Sequence, residues 1–196
     1  MRTLAATLVV VAVAAGPWCK LQGQWAIAVD IGVARFGGTS RDSSGATVGP
    51  YRPTTYGLRL DRTLGRARVA VDLLYAETGV AGEGKGLAVV QYGIGSLWEI
   101  APEVSLRVAH FGAGVEARIA AGPAIDLWDF DGEQRNRVGG RAAAIVEWPL
   151  ARALMGSLRV SGVLSGSVFD AADAPSGVER PATRRFGVAL GLRYQL

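Results

Sequence analysis

The chain has 196 residues, and 21 basic against 17 acidic side chains give it a formal charge of +4 at neutral pH. Charged residues make up only 19%, glycine reaches 27 residues and mean hydropathy is positive at +0.24, which is more glycine and less charge than a water-soluble domain usually carries. The arginines are scattered singly with no aromatic-rich motif beside them, which argues against a nucleic-acid partner despite a pI near 9.6.

Residues 1–23 read as a signal peptide and short lead, and residues 24–196 as one domain. Arg2 supplies a positive start, Leu4 to Ala15 a short apolar run, and Val13-Ala14-Ala15 small residues for cleavage. The run is too short to span a bilayer comfortably as a helix, which takes about 20 residues. Cys19 is the single cysteine, so there is no intrachain disulfide framework. Gly16-Pro17-Trp18 before it do not resemble a lipidation signal.

From Gln24 the chain alternates with a period of two, the signature of strands with two unlike faces. Trp25, Ile27, Val29, Ile31 and Val33 share one face of the first strand, with Asp30 on the other. Residues 37–53, rich in Gly, Ser, Thr, Asp and Pro, read as a long loop. The second strand (54–62) sets Tyr56, Leu58 and Leu60 against Arg59 and Asp61, and a tight turn at Leu64-Gly65 leads to the third (66–77), with Arg68 and Asp72 on its narrow face. A loop at 79–86 precedes the fourth strand (87–99). Ala101-Pro102 reads as a turn, and a fifth strand starts with Val104, Leu106 and Val108 opposite Arg107. Its parity drifts through residues 110–114, where a β-bulge is expected. Residues 129–137 read as a third loop, within a wider loop region 120–137. The sixth strand (138–148) carries Arg141 and Glu147 on its narrow face, a turn takes 149–155, and the seventh (157–169) carries Arg159. Residues 170–182 form a fourth loop.

The last strand, 185–196, alternates most regularly: Phe186, Val188, Leu190, Leu192, Tyr194 and Leu196 against Gly187, Ala189, Gly191, Arg193 and Gln195. An edge this apolar must be paired and covered. It resembles the closing strand and C-terminal assembly signal (Val188, Leu190, Leu192, Tyr194, Leu196) of bacterial outer-membrane barrels. With the signal sequence and the strand count, the chain resembles the small OmpA/OmpX-like outer-membrane β-barrel superfamily. The resemblance implies an all-β fold, an eight-stranded antiparallel up-and-down transmembrane β-barrel. It also implies outer-membrane lipid around it, and barrel-assembly machinery and periplasmic chaperones as partners.

A narrow face of Gly, Ala and Ser with single charges suits a cramped interior better than a water-facing surface. That places Asp30, Arg59, Asp61, Arg68, Asp72, Arg107, Arg141, Glu147, Arg159 and Arg193 in a polar network expected to plug the lumen. Interface aromatics are expected in two girdles. Trp25, Trp98, Trp148 and Tyr194 take the periplasmic rim, Tyr56 and Tyr75 the other. The functions this supports are a structural or surface-interacting barrel, a small-solute channel, or a lipid-modifying enzyme. A soluble lipocalin-like barrel, with bulky residues turned inward, is the opposing architecture. His110 is the only histidine, with no serine at the spacing of outer-membrane lipid A deacylases, so no catalytic residue is expected. One His and one Cys support no conventional metal site, and no cofactor is expected. Gly82-Glu83-Gly84-Lys85-Gly86 lacks the strand–loop–helix context of a phosphate loop.

Overall fold

Alternating apolar and small residues make sheet along nearly all of the described residues. The computed structural model describes residues 24–37, 40–41, 47–51, 54–84, 87–130, 132–166 and 182–196. The expected signal segment, Cys19 and most of the fourth loop lie outside them. The strands are β1 (Gln24–Gly37), β2 (Ser40–Arg41), β3 (Thr47–Tyr51), β4 (Thr54–Leu64), β5 (Ala67–Gly84), β6 (Leu87–Phe111), β7 (Val115–Phe130), β8 (Glu133–Ala151), β9 (Leu154–Ser165) and β10 (Thr183–Gln195).

All ten belong to one sheet, and a further β5–β6 pairing closes it. Setting aside the short β2, which pairs with β3, and β3, which pairs in turn with the far end of β5, the wall is a ring of eight. Each strand in that ring runs antiparallel to its chain neighbour, and β1 zips to β10 from Ala26↔Gln195 to Gly37↔Arg184. This is the expected up-and-down barrel.

One end holds tight connections. Gly65 there takes φ 65, a left-handed conformation that side chains resist, and a single 3₁₀ turn, Gly112–Gly114, joins β6 to β7. We call this the turn end and the opposite one the loop end.

The faces sort as the sequence suggests. Val29, Val71, Leu164 and Leu190 are 54, 50, 55 and 57% exposed on the outside, while Arg59, Asp61, Glu99 and Glu147 are at most 1% exposed within. A lipocalin-like barrel would show the reverse, so that architecture is excluded.

Several boundaries differ from expectation. Ala101-Pro102 is not a turn: β6 runs straight through it, with Ala101 facing in and Pro102 out. Proline lacks a donor, and the β6–β7 ladder lapses at that point, between Ile100↔Ile125 and Val104↔Ala121. Gly122 lies opposite, so close that a Cβ on it would strike the Pro102 carbonyl. The real reversal is at Gly112–Gly114, where a bulge was expected, and the bulge falls earlier, between Arg107 and Ala109. Residues 129–137 are not an open loop either. β7 and β8 pair as far as Phe130↔Glu133, and Gly132 (φ 84) helps the chain reverse tightly. The loop at 79–86 shrinks in the same way, since β5 reaches Gly84 and β6 starts at Leu87. The 149–155 turn shrinks to residues 152–153. Polarity marks where a hairpin leaves the apolar belt rather than where its hydrogen bonds stop.

Candidate functional site

Because side chains alternate, every second residue of the ring points into the lumen. The interior is filled in layers. At the turn end, Glu116 takes Arg107 at 2.7 Å on one oxygen and Arg118 at 3.1 Å on the other. Arg118 also donates to the Arg66 carbonyl at 3.0 Å.

Next comes a cluster around Asp61. Arg193 grips its carboxylate with two nitrogens, at 2.7 and 2.9 Å. Arg68 stands 3.4 Å from it and clasps Glu147 at 2.7 and 2.9 Å. Arg59 lies between Asp61 and Asp30, 3.9 and 3.5 Å away. Asp30 fits because its register partners on both sides, Gly57 and Gly191, have no side chain. A Cβ at Gly191 would land on the Asp30 carboxylate and crowd the Ser157 hydroxyl.

Toward the loop end a second cluster forms around Asp72. Arg141 reaches it at 3.1 Å and Arg159 at 3.3 Å. Arg141 also pairs with Glu99 at 3.0 Å, and Arg159 with Glu103. Arg185 bonds Glu99 and stands 3.9 Å from Asp126. A cavity of about 30 Å³ lies beside Asp30, Asp72, Arg141 and Arg159, room for about two water molecules.

Above this cluster the lining turns apolar. Ala76, Leu97 and Trp128, all at most 1% exposed, pack with Phe36 and Leu74. The Phe36 and Trp128 rings meet edge-on at 5.6 Å, and the Arg185 guanidinium lies over Phe36 at 5.9 Å.

Of the residues expected in the lumen, Asp30, Arg59, Asp61, Arg68, Asp72, Arg141, Glu147, Arg159 and Arg193 are brought together in the two clusters, and Arg107 lies apart at the turn end. The sequence reading missed Glu99, Glu103, Arg118, Asp126 and Arg185. Glu99 and Glu103 flank the misread turn, and Arg118 and Asp126 follow the parity drift. Arg185 shares the parity of Gly187 and Arg193, a signal that was available.

On the outside, Trp25 (46% exposed) and Tyr194 (51%) lie near the turn end. Trp148 is there too, its ring over Gly156 on β9, where any side chain would collide with it. Trp98 does not join them. Since β6 continues past Pro102, Trp98 pairs with Tyr75, which pairs with Tyr56, and the Tyr75 and Trp98 rings lie 4.8 Å apart. The assembly-signal residues Val188, Leu190, Leu192, Tyr194 and Leu196 all face outward. His110 sits exposed beside the turn, its Nδ1 3.9 Å from Glu116, while Ser105 faces the lumen and accepts from Arg118 Nε at 3.4 Å. They form no nucleophile–base pair. Among the described residues no cluster of His, Cys, Asp and Glu is placed to hold a metal.

No protein-family model and no curated protein matches the sequence. Solved structures do match its shape. Neisserial surface protein A (NspA) aligns over 88% of this chain and 97% of its own, at 12% identity and a TM-score of 0.59. The outer membrane protein OprG from Pseudomonas aeruginosa aligns over 89% of this chain and 96% of its own, at 12% identity and a TM-score of 0.56. With its greasy outside, charged inside and sequential eight-stranded ring, the chain has the fold of the small OmpA/OmpX-like outer-membrane β-barrels.

Proposed function

We propose that this protein resides in the bacterial outer membrane, with a lumen sealed by its own side chains, and serves a structural or surface-interacting role through its loop end. The observation that carries this reading is the filling of the lumen. Two arginine–carboxylate clusters lie in series beneath the Phe36–Trp128 lid. A narrow eight-stranded ring has room for little beyond its own side chains. The wall is apolar on its outer face, as lipid contact requires. The turn end would then face the periplasm and the loop end the exterior. Barrel-assembly machinery and periplasmic chaperones are the partners this fold calls for on its way to the membrane.

Planar-bilayer recording tests the reading. The purified barrel should insert without steady ion conductance. Steady conductance by the intact protein would overturn the sealed lumen in favour of a small-solute channel. A His110→Ala variant should leave the lipid profile unchanged, and an altered profile would argue for lipid-modifying chemistry.

A further inference from the structure

We propose that Arg35 and Arg184 form a clasp on the outer wall for the phosphate of an anionic lipid headgroup. The inference deepens the membrane reading above and rests on it.

Nearly every lumen arginine described above has a carboxylate within ion-pair distance. Arg35 and Arg184 differ. Both are exposed, and their parity points them outward, with the lipid-facing residues of β1 and β10. Along β1 the outward series Trp25, Ile27, Val29, Ile31, Val33 ends in Arg35. Along β10 the outward series from Leu196 back to Phe186 ends in Arg184. Two adjacent strands therefore switch from grease to guanidinium at the same end. Arg35 pairs with Phe186 and Gly37 with Arg184, so the two arginines are diagonal neighbours. Diagonal pairs lie roughly 7–8 Å apart, close enough for two long side chains to converge on one group. Among the described residues neither makes an ion pair.

Height fits the same reading. Arg35 follows Trp25 by ten residues. At about 3.3 Å per residue and a tilt near 40°, that is about 25 Å along the axis, the height of a barrel's apolar band. With Trp25 at one headgroup layer, Arg35 reaches the other. Guanidinium is the side chain best suited to phosphate, because its fork donates to two oxygens at once. A pair of cations at headgroup level with no counter-charge among the described residues is matched by a lipid one.

The test is native mass spectrometry of the folded protein released from lipid mixtures. The wild type should retain phosphatidic acid roughly thirtyfold better than phosphatidylcholine, on the strength of two near-surface cations. Phosphatidic acid should also exceed an anionic carboxylate lipid. The Arg35→Gln/Arg184→Gln variant should lose the preference, and Arg184→Gln alone should lose about fivefold should the double variant fold poorly. Arg62→Gln should keep it, since that guanidinium already sits over the Trp25 ring at 5.6 Å. An unchanged preference in the double variant, an equal loss in Arg62→Gln, or no preference in the wild type would each overturn the clasp. Heat-modifiable gel migration in vesicles separates the two ideas. A protein that inserts but shows no preference loses the clasp alone, and one that never inserts loses the membrane reading too.

Discussion

Arg68 on β5 and Glu147 on β8 meet across the barrel interior in a two-pronged pair, nitrogen to oxygen at 2.7 and 2.9 Å. Neither is on a strand adjacent to the other, so the pair ties distant parts of the wall together. A pair this buried is costly to form and costlier to break, because Arg68 would keep only the longer contact to Asp61 and the cluster would be left with one arginine in excess. Glu147→Gln is therefore expected to lower unfolding free energy by about 3–5 kcal/mol, read by urea titration in lipid vesicles. Replacing both partners with apolar residues of similar size should cost much less. A loss below about 1 kcal/mol in the single variant would mean that water already reaches Glu147.

The lid and the ion pairs block the lumen in series, and that ordering can be tested. Trp128→Ala leaves a hole in a packed apolar cluster and should cost about 3–5 kcal/mol. It should still not conduct, since the Asp72 cluster lies below. Conductance is expected only when both clusters are opened as well, Trp128→Ala being combined with Glu99→Ala and Arg141→Ala in the Asp72 cluster and with Arg68→Ala and Glu147→Ala in the Asp61 cluster. Steady current from Trp128→Ala alone would show that the ion pairs are no barrier.

Leu190 sits mid-strand on the outer face, between Ile31 and Leu158. If hydrocarbon surrounds it, Leu190→Arg should destabilise by about 2–4 kcal/mol, whereas Tyr194→Arg near the rim should cost about 0–1 kcal/mol. Equal and small effects at both depths, measured in vesicles, would mean that water covers this wall.

Much of this was readable beforehand, and the reason is geometric. A strand with an apolar outer face and a cramped lumen behind it must alternate, so β1, β4 and β10 declare themselves through Val29, Leu58 and Leu190. What polarity cannot reveal is where backbone pairing stops. Pro102 looks like a break because proline cannot donate, yet it is tolerated where the β6–β7 ladder has lapsed and Gly122 lets the neighbouring backbone come close. Reading a turn there hid Glu99 and Glu103 and placed Trp98 at the wrong rim. Residues 129–137 misled for the opposite reason. Their hairpin continues past the apolar belt, where both faces are wetter and the period fades.

Gly191 shows how narrow the tolerances are. Alanine there would push its methyl group into the Asp30 carboxylate and toward the Ser157 hydroxyl. Gly191→Ala should cost about 1–3 kcal/mol, the usual scale for overpacking. Gly162→Ala meets nothing within 4 Å of its new methyl and should change stability by less than about 0.5 kcal/mol. Parallel denaturation curves decide the matter, and similar shifts for both would show that the wall yields around Asp30.

The seam between β1 and β10 dictates an order of events. The ring's earliest strand waits for its latest, and their union is completed by a bond from the Leu196 amide to the Trp25 carbonyl at 2.9 Å. Until β10 arrives, the partly made protein has two raw edges, each able to recruit another chain. Closure therefore cannot proceed piecemeal during synthesis, and the rate of reaching the finished state is governed by a contact between nearly the most distant parts of the polypeptide.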